Sequence, residues 1–267
     1  SNHPEIDMMS FTGSTRAGIA VTKGAAETVK RVSLELGGKG ANIIFSDCDV
    51  EKAVKRGAAH CFNNTGQSCN APTRMLVQMD VYEKAIQVAQ ETAENTEVNE
   101  PNLSGNHIGP LVSEVQYNKV QDLIDAGIKE GAKLIAGGLG RPEGFNRGYF
   151  VRPTVFADVN NDMRIAREEV FGPVLSIIPF ETEEEAIAIS NDTSYGLTDY
   201  VQSGDSERTQ RVARQLRAGM VQVNGAPRAS GSPFGGYKQS GNGREGGIEG
   251  FEEFLETKAV SGWTTTS

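Results

Sequence analysis

The chain predicts an α/β protein with a mostly parallel sheet flanked by helices. Short apolar runs alternate with longer stretches whose apolar residues recur at helical spacing. Several of the helical stretches open on Ser, Thr or Asp, whose oxygens accept from the free N–H groups of a first turn. No segment repeats, so strand–helix–strand units are the organising pattern.

Residues 8–11 read as a strand, and the turn Thr12-Gly13-Ser14-Thr15 caps a helix over about 17–29. Residues 41–45 form a short apolar strand. Asp49 then caps a helix reaching Phe62, with Val54, Ala58, Cys61 and Phe62 on its apolar face. A strand over 75–79 precedes helices over 81–95 and 113–130, the second opening with a Ser113/Gln116 capping box. Residues 133–136 and 151–156 are strands around a glycine-rich loop, and 174–180 is another. Thr182 and Glu185 open a further helix, and 198–202 is a strand. The helix over 206–217 stops at Gly219, and 220–223 extends after it. Residues 225–247 are a long loop of the kind that usually carries function, and 252–260 read as a terminal strand.

The formal net charge of -9 disfavours nucleic acid or an anionic membrane as partner. No apolar run approaches the roughly 20 residues a membrane helix needs. The start lacks the features of a signal peptide, and three cysteines form neither a disulfide framework nor a zinc spacing. A reducing cytoplasm is the expected compartment. Residues 6–11 read as a buried strand with almost nothing before it, so the chain is expected to be a fragment of a longer protein.

One cysteine stands out. Cys69 ends the polar turn FNNTGQSC at 62–69, directly before a strand, where a loop presents side chains to ligands. Glu35, within LELGGK at 34–39, is a lone acid between leucines. Thiol and carboxylate pair naturally as nucleophile and general base, and desolvation by Leu34 and Leu36 would raise the acid towards neutrality. The alternatives are a packed, inert cysteine and an acid on an exposed strand end. A G-x-G-x-x-G match at 241–246 is set aside, because no apolar strand precedes it and glycine-rich sequence comes after it.

Seven segments, in order, resemble the NAD(P)-dependent aldehyde dehydrogenase superfamily: FTGSTRAG at 11–18, LELGGK at 34–39, FNNTGQSC at 62–69, EEVFGP at 168–173, NDTSYGL at 191–197, SPFGGYK at 232–238 and GRE at 243–245. The resemblance spans essentially the whole chain and corresponds to the C-terminal half or so of a family member. It implies that Cys69 is the nucleophile, Glu35 the general base and Glu245 a second acid in a proton relay, with a structural pairing of Glu245 and Arg244 as the alternative. For the cofactor, NAD or NADP, it points to Gly13 and Ser14 at a helix start, where a plain helix cap is the bland reading. It also points to Leu36 and Gly37 through their backbone, Glu169 on the nicotinamide ribose, and Phe171 against the ring. Lys39 either assists Glu35 or solvates a turn. No metal is implied.

The implied reaction is oxidation of a small-molecule aldehyde to a carboxylate through a cysteine thiohemiacetal and thioester. Glu35 favours release by water, since branches that pass the acyl group to phosphate or coenzyme A typically lack this acid. The implied division is 1–36 as the tail of the dinucleotide-binding domain, 37–240 as the catalytic domain, 241–254 as a return to the cofactor domain and 255–267 as an oligomerisation segment. Arg31, Arg244 and Glu256 match an interface ion-pair cluster, or are ordinary surface charges, and a homodimer or homotetramer is expected. The fragment alone is expected to be inactive. A cofactor-independent thiol esterase and a non-catalytic oligomerisation module are the rival readings. The substrate is open; Asn70, Gly225, Ala226, Pro227 and Arg228 are candidates for the aldehyde tunnel.

Overall fold

A computed structural model describes residues 1–264 and contains two sheets. The smaller pairs β1 (Met8–Thr12) with β2 (Arg31–Glu35) in parallel, from Met8 opposite Arg31 to Thr12 opposite Glu35. Helix α1 (Thr15–Ala26) is the crossover between them, and the Ser14 hydroxyl caps it by accepting from Ala17 N–H at 3.3 Å. The larger sheet has seven strands in the order β5-β6-β7-β4-β3-β8-β9. These are β3 (Ala41–Ile44), β4 (Arg74–Gln78), β5 (Lys133–Ala136), β6 (Thr154–Ala157), β7 (Val174–Phe180), β8 (Thr198–Gln202) and β9 (Met220–Val223). Every pairing is parallel except β5 with β6.

Strand period 2 divides the core. Ile43 and Leu76 face one way, towards α4 (Glu114–Lys129), α6 (Glu183–Asn191) and α7 (Ser206–Gln215). Ile44, Met75 and Val77 face the other, towards α2 (Val50–Phe62) and α3 (Tyr82–Glu94). Burial on both faces explains why β3 and β4 read as continuous apolar runs rather than alternating ones. Asn42, Arg74 and Gln78 are the polar exceptions in those runs, and Arg74 is fully buried at the start of β4. Its guanidinium donates to the carbonyls of Lys39 (3.0 Å), Ile189 (2.8 Å) and Ser190 (2.8 Å) and to Asn161 Oδ1 (2.9 Å). That fork ties the entry of β3 to the C-terminal end of α6.

Four details differ from the sequence reading. The sequence does not predict β2, because RVSLE carries two charged ends and a serine. The expected strand at 252–260 does not form. Gly247–Glu252 is instead a short helix (α8; the four-residue α5 is Arg164–Arg167), and no described residue after it belongs to a strand. Gln116 makes only half a capping box. Its N–H donates to the Ser113 hydroxyl at 3.2 Å, while its side-chain amide donates to the carbonyls of Val170 (2.9 Å) and Phe171 (2.8 Å). Helix α1 ends three residues early, after which Val29 takes a left-handed conformation (φ 57°).

Candidate active site

The site forms where β2 leaves the small sheet and β3 enters the large one. The link Leu36 to Gly40 crosses that seam, and two other segments pack onto it. A side chain at Gly38 would collide with the backbone carbonyl of Cys69, and one at Gly37 with the carboxylate of Glu169. The third contact closes the triangle, since Gly66 (φ 70°) lies directly on the carbonyl of Gly172. Backbones approach this closely only where no Cβ stands between them. The Cys69 turn, the Glu35 strand end and the Glu169–Phe171 loop are thereby held together by three glycine contacts.

Cys69 is half-buried in a turn closed by Ala71 N–H donating to Ser68 O at 3.1 Å. Burial pushes its thiol up, and the charges of Glu169 and then Glu35 push it further. The backbone N–H groups of Cys69 and Asn70 act against this. The other cysteines differ. Cys61 is fully buried on α2, donates to Val174 O at 3.6 Å and is pushed up to about 12 by burial. Cys48 is raised to about 11 by burial and by its neighbours Asp47 and Asp49.

Glu35 is 4% exposed, and neither carboxyl oxygen has a hydrogen-bond partner among the described residues. Burial, followed by the charge of Glu245, raises it to about 8, against a smaller opposing effect of Arg244. The leucines are not what desolvates it, because alternation points them away; Leu36 packs on Gly18. The Glu35 carboxyl lies instead beside Gly235 and the Arg244 stem, 2.7 Å from where a Gly235 Cβ would stand. With no bond to the thiol, transfer of the Cys69 proton to Glu35 needs a bridging water or rotation of the carboxyl.

Glu169 accepts from Gly38 N–H at 2.9 Å through Oε1, and no described residue donates to Oε2. Burial raises it, against that hydrogen bond and the cations Lys119 and Lys39. Phe171 stands two residues further on in a left-handed conformation (φ 53°), its carbonyl held by Gln116. Gly13 donates to Glu35 O at 3.0 Å, and Ser14 is occupied as the cap of α1. Glu245 is exposed, pairs its backbone with Phe234 and accepts from the Thr12 hydroxyl at 3.2 Å.

Lys39 does neither of the things expected of it. It is 1% exposed, its amine has no partner among the described residues, and burial lowers it to about 7. The acids that act on it are Cys61 and Glu169, not Glu35. Arg31 meets Glu256 at 3.8 Å and donates to Leu255 O at 2.9 Å, whereas Arg244 turns to the carbonyls of Gly236 and Gly243. Gln116 and Tyr200 join the site without a sequence motif to mark them. Tyr200 is 4% exposed and donates to the carbonyl of Asn70, next to the nucleophile, at 2.7 Å. A tyrosine inside a buried strand is the available signal, since its hydroxyl must find a partner.

Among the described residues no group of three or more His, Cys, Asp or Glu side chains is placed to hold a metal, and no helix is long and apolar enough to cross a membrane.

The aldehyde dehydrogenase family profile matches residues 1–260. A 3-succinoylsemialdehyde-pyridine dehydrogenase from a Pseudomonas species is 59% identical over 261 residues, covering 98% of this chain and 55% of that protein. The crystal structure of an aldehyde dehydrogenase from Bartonella henselae superposes with a TM-score of 0.96 at 60% identity, over 98% of this chain and 55% of that one. Aldehyde dehydrogenase C from Pseudomonas syringae, solved as a Cys-to-Ala variant with NAD+ and octanal, gives a TM-score of 0.97 at 50% identity over 100% and 55%. The chain thus spans about half the length of these relatives. Fold, ordered motifs and family match agree, and the chain belongs to the aldehyde dehydrogenase family.

Proposed function

We propose that this chain carries the catalytic portion of an NAD(P)-dependent aldehyde dehydrogenase that oxidises an aldehyde to a carboxylate. The observation that carries the reading is the three-way glycine contact that gathers Cys69, the Glu35 strand end and Glu169 at one seam.

Cys69 adds through sulfur to the aldehyde carbon, giving a thiohemiacetal whose oxygen becomes negative as the C–S bond forms. The Cys69 and Asn70 N–H groups, which favour charge on the sulfur, are the donors this chain offers to that oxygen. Oxidation leaves an acyl thioester on Cys69, and Glu35 takes the proton of the attacking water as the thiolate leaves. Glu245 raises Glu35 and lies on its solvent side, which suits it to pass that proton outwards.

The bound nicotinamide cofactor supplies the hydride acceptor. The residues present fit it: Glu169 keeps Oε2 free to accept from ribose hydroxyls, and Phe171 stands two residues on. Leu36 and Gly37 would meet the ring through their backbone, while Gly13 and Ser14 open α1, whose free N–H groups suit a diphosphate.

In this reading residues 1–36 end a dinucleotide-binding domain, 37–240 form the catalytic domain, 241–254 return to the first, and 255–267 serve a homodimer or homotetramer. The last three of those residues lie outside the described ones. The protein would act in the cytoplasm. The test is aldehyde-dependent NADH or NADPH formation by a protein of the relatives' full length that contains this chain. Activity that vanishes in Cys69→Ala supports the reading. No oxidation across short-chain, long-chain and aromatic aldehydes, in a protein that binds the cofactor, would overturn it.

A further inference from the structure

Cys69 has a support that none of the assigned roles covers. Its turn is fixed on one side by Gly38, which packs against the Cys69 carbonyl. On the other side, the next carbonyl in the chain, that of Asn70, accepts from the Tyr200 hydroxyl at 2.7 Å. Tyr200 arrives from β8, the strand beside β3, and its 4% exposure leaves it little freedom. The His60 ring stands edge-on against it, with centroids 5.4 Å apart and planes at 85°. Behind the turn lies a cavity of about 180 Å³, bordered by Pro72, Tyr200, His60 and residues 225–227.

We infer that Tyr200 is a positioning residue: its hydroxyl pins the Asn70 carbonyl and so holds the turn that presents Cys69. This rests on Cys69 being the nucleophile. A peptide carbonyl held at one point cannot swing, so the Asn70–Ala71 peptide keeps its plane and the turn before it is held at that end. Release of that carbonyl frees the turn to rotate and to shift the amides that favour the thiolate. The charged groups that bear on the thiol are Glu169 from the loop before β7 and Glu35 from β2, both opposing ionisation. Asp199 lies beside Tyr200 and is engaged with Ala41 N–H and the Ser190 hydroxyl, and burial pushes His60 towards its neutral form. The two amides are therefore what favours the thiolate, and Tyr200 guards one side of their geometry.

The test is the pH dependence of iodoacetamide alkylation at Cys69, read by mass spectrometry, with Cys48 as internal control. Tyr200→Phe keeps the ring and removes only the hydroxyl. It is expected to move the Cys69 midpoint to higher pH and to slow alkylation at neutral pH by about threefold to tenfold, the effect of one lost hydrogen bond. Cys48 alkylation and the circular-dichroism spectrum should not change. His60→Phe, which keeps an edge-on ring, should leave the Cys69 midpoint where it is. An unchanged midpoint in Tyr200→Phe, or an equal shift in both variants, overturns the assignment of the hydroxyl. If Cys69 in the unaltered chain reacts no faster than Cys48, the nucleophile reading itself fails, so the two failures are distinct.

Discussion

The two sheets of this molecule are buried to different degrees. In the seven-stranded body, β3, β6 and β8 are buried at every residue, and helices cover both faces. In the β1–β2 pair, no residue of β1 is fully buried, and α1 leaves Ile19 51% exposed. The body has a core of its own, whereas the pair rests against it. Glu35 is the last residue of the pair and Gly37-Gly38 the first contact with the body, so the proposed general base and nucleophile are anchored in parts of unequal strength. Positional errors at the site should therefore come from the strand pair and not from the Cys69 turn.

The largest expected effect lies in the body. Arg74→Met removes four hydrogen bonds made by a fully buried guanidinium, two of them to buried carbonyls, and should cost about 3–5 kcal/mol in urea unfolding. A loss below about 1 kcal/mol would mean the fork is dispensable and the contrast with the strand pair overstated. Next comes the seam. Gly38→Ala sets a methyl group against the Cys69 carbonyl, so it should cost about 1–3 kcal/mol and displace the Cys69 turn, changing its alkylation rate while that of Cys48 holds.

The pH dependence of stability separates the two regions further. Glu35 is raised from 4.5 to about 8, so its contribution is complete below about 4.5 and lost as pH rises through 8. Lys39 is lowered from 10.5 to about 7, so its cost is complete below about 7 and relieved as pH rises towards 10.5. Glu35→Gln should flatten a decline between pH 4.5 and about 8, read from chemical denaturation. Lys39→Met should stabilise the protein more at about pH 6 than at about pH 10 in the same assay. Parallel shifts at all pH values would contradict these assignments. The smallest effect belongs to the pair: Val29→Gly relieves a β-branched residue at φ 57° and 89% exposure, for a gain of about 0.5–1 kcal/mol in thermal unfolding.

The same contrast explains what is legible in the sequence. The strands of the body are legible because burial on both faces makes nearly continuous apolar runs, as in Ile43-Ile44 and in Val174 to Phe180, which only Ser176 breaks. Strand β2 is not, because RVSLE is half-covered and ends in charges. The terminal segment looks extended from its apolar residues, yet Phe254 and Leu255 are exposed with no neighbouring ladder to complete. At the site, Cys69, Glu35 and Glu169 are legible from unusual polarity and family resemblance. The roles of Gln116 and Tyr200 are not, since each acts through a backbone carbonyl distant in sequence. Lys39 looks like a turn residue beside two glycines, and only its packing against the body shows that it is sealed from water.

Cys69 is the cysteine proposed for the chemistry, and every step proposed above depends on that. Timed iodoacetamide labelling of the folded chain near neutral pH, with peptide mass spectrometry, tests it most directly. Cys69 should be modified first, Cys48 slowly, and Cys61 only after unfolding. Modification of Cys48 or Cys61 ahead of Cys69 would contradict the account.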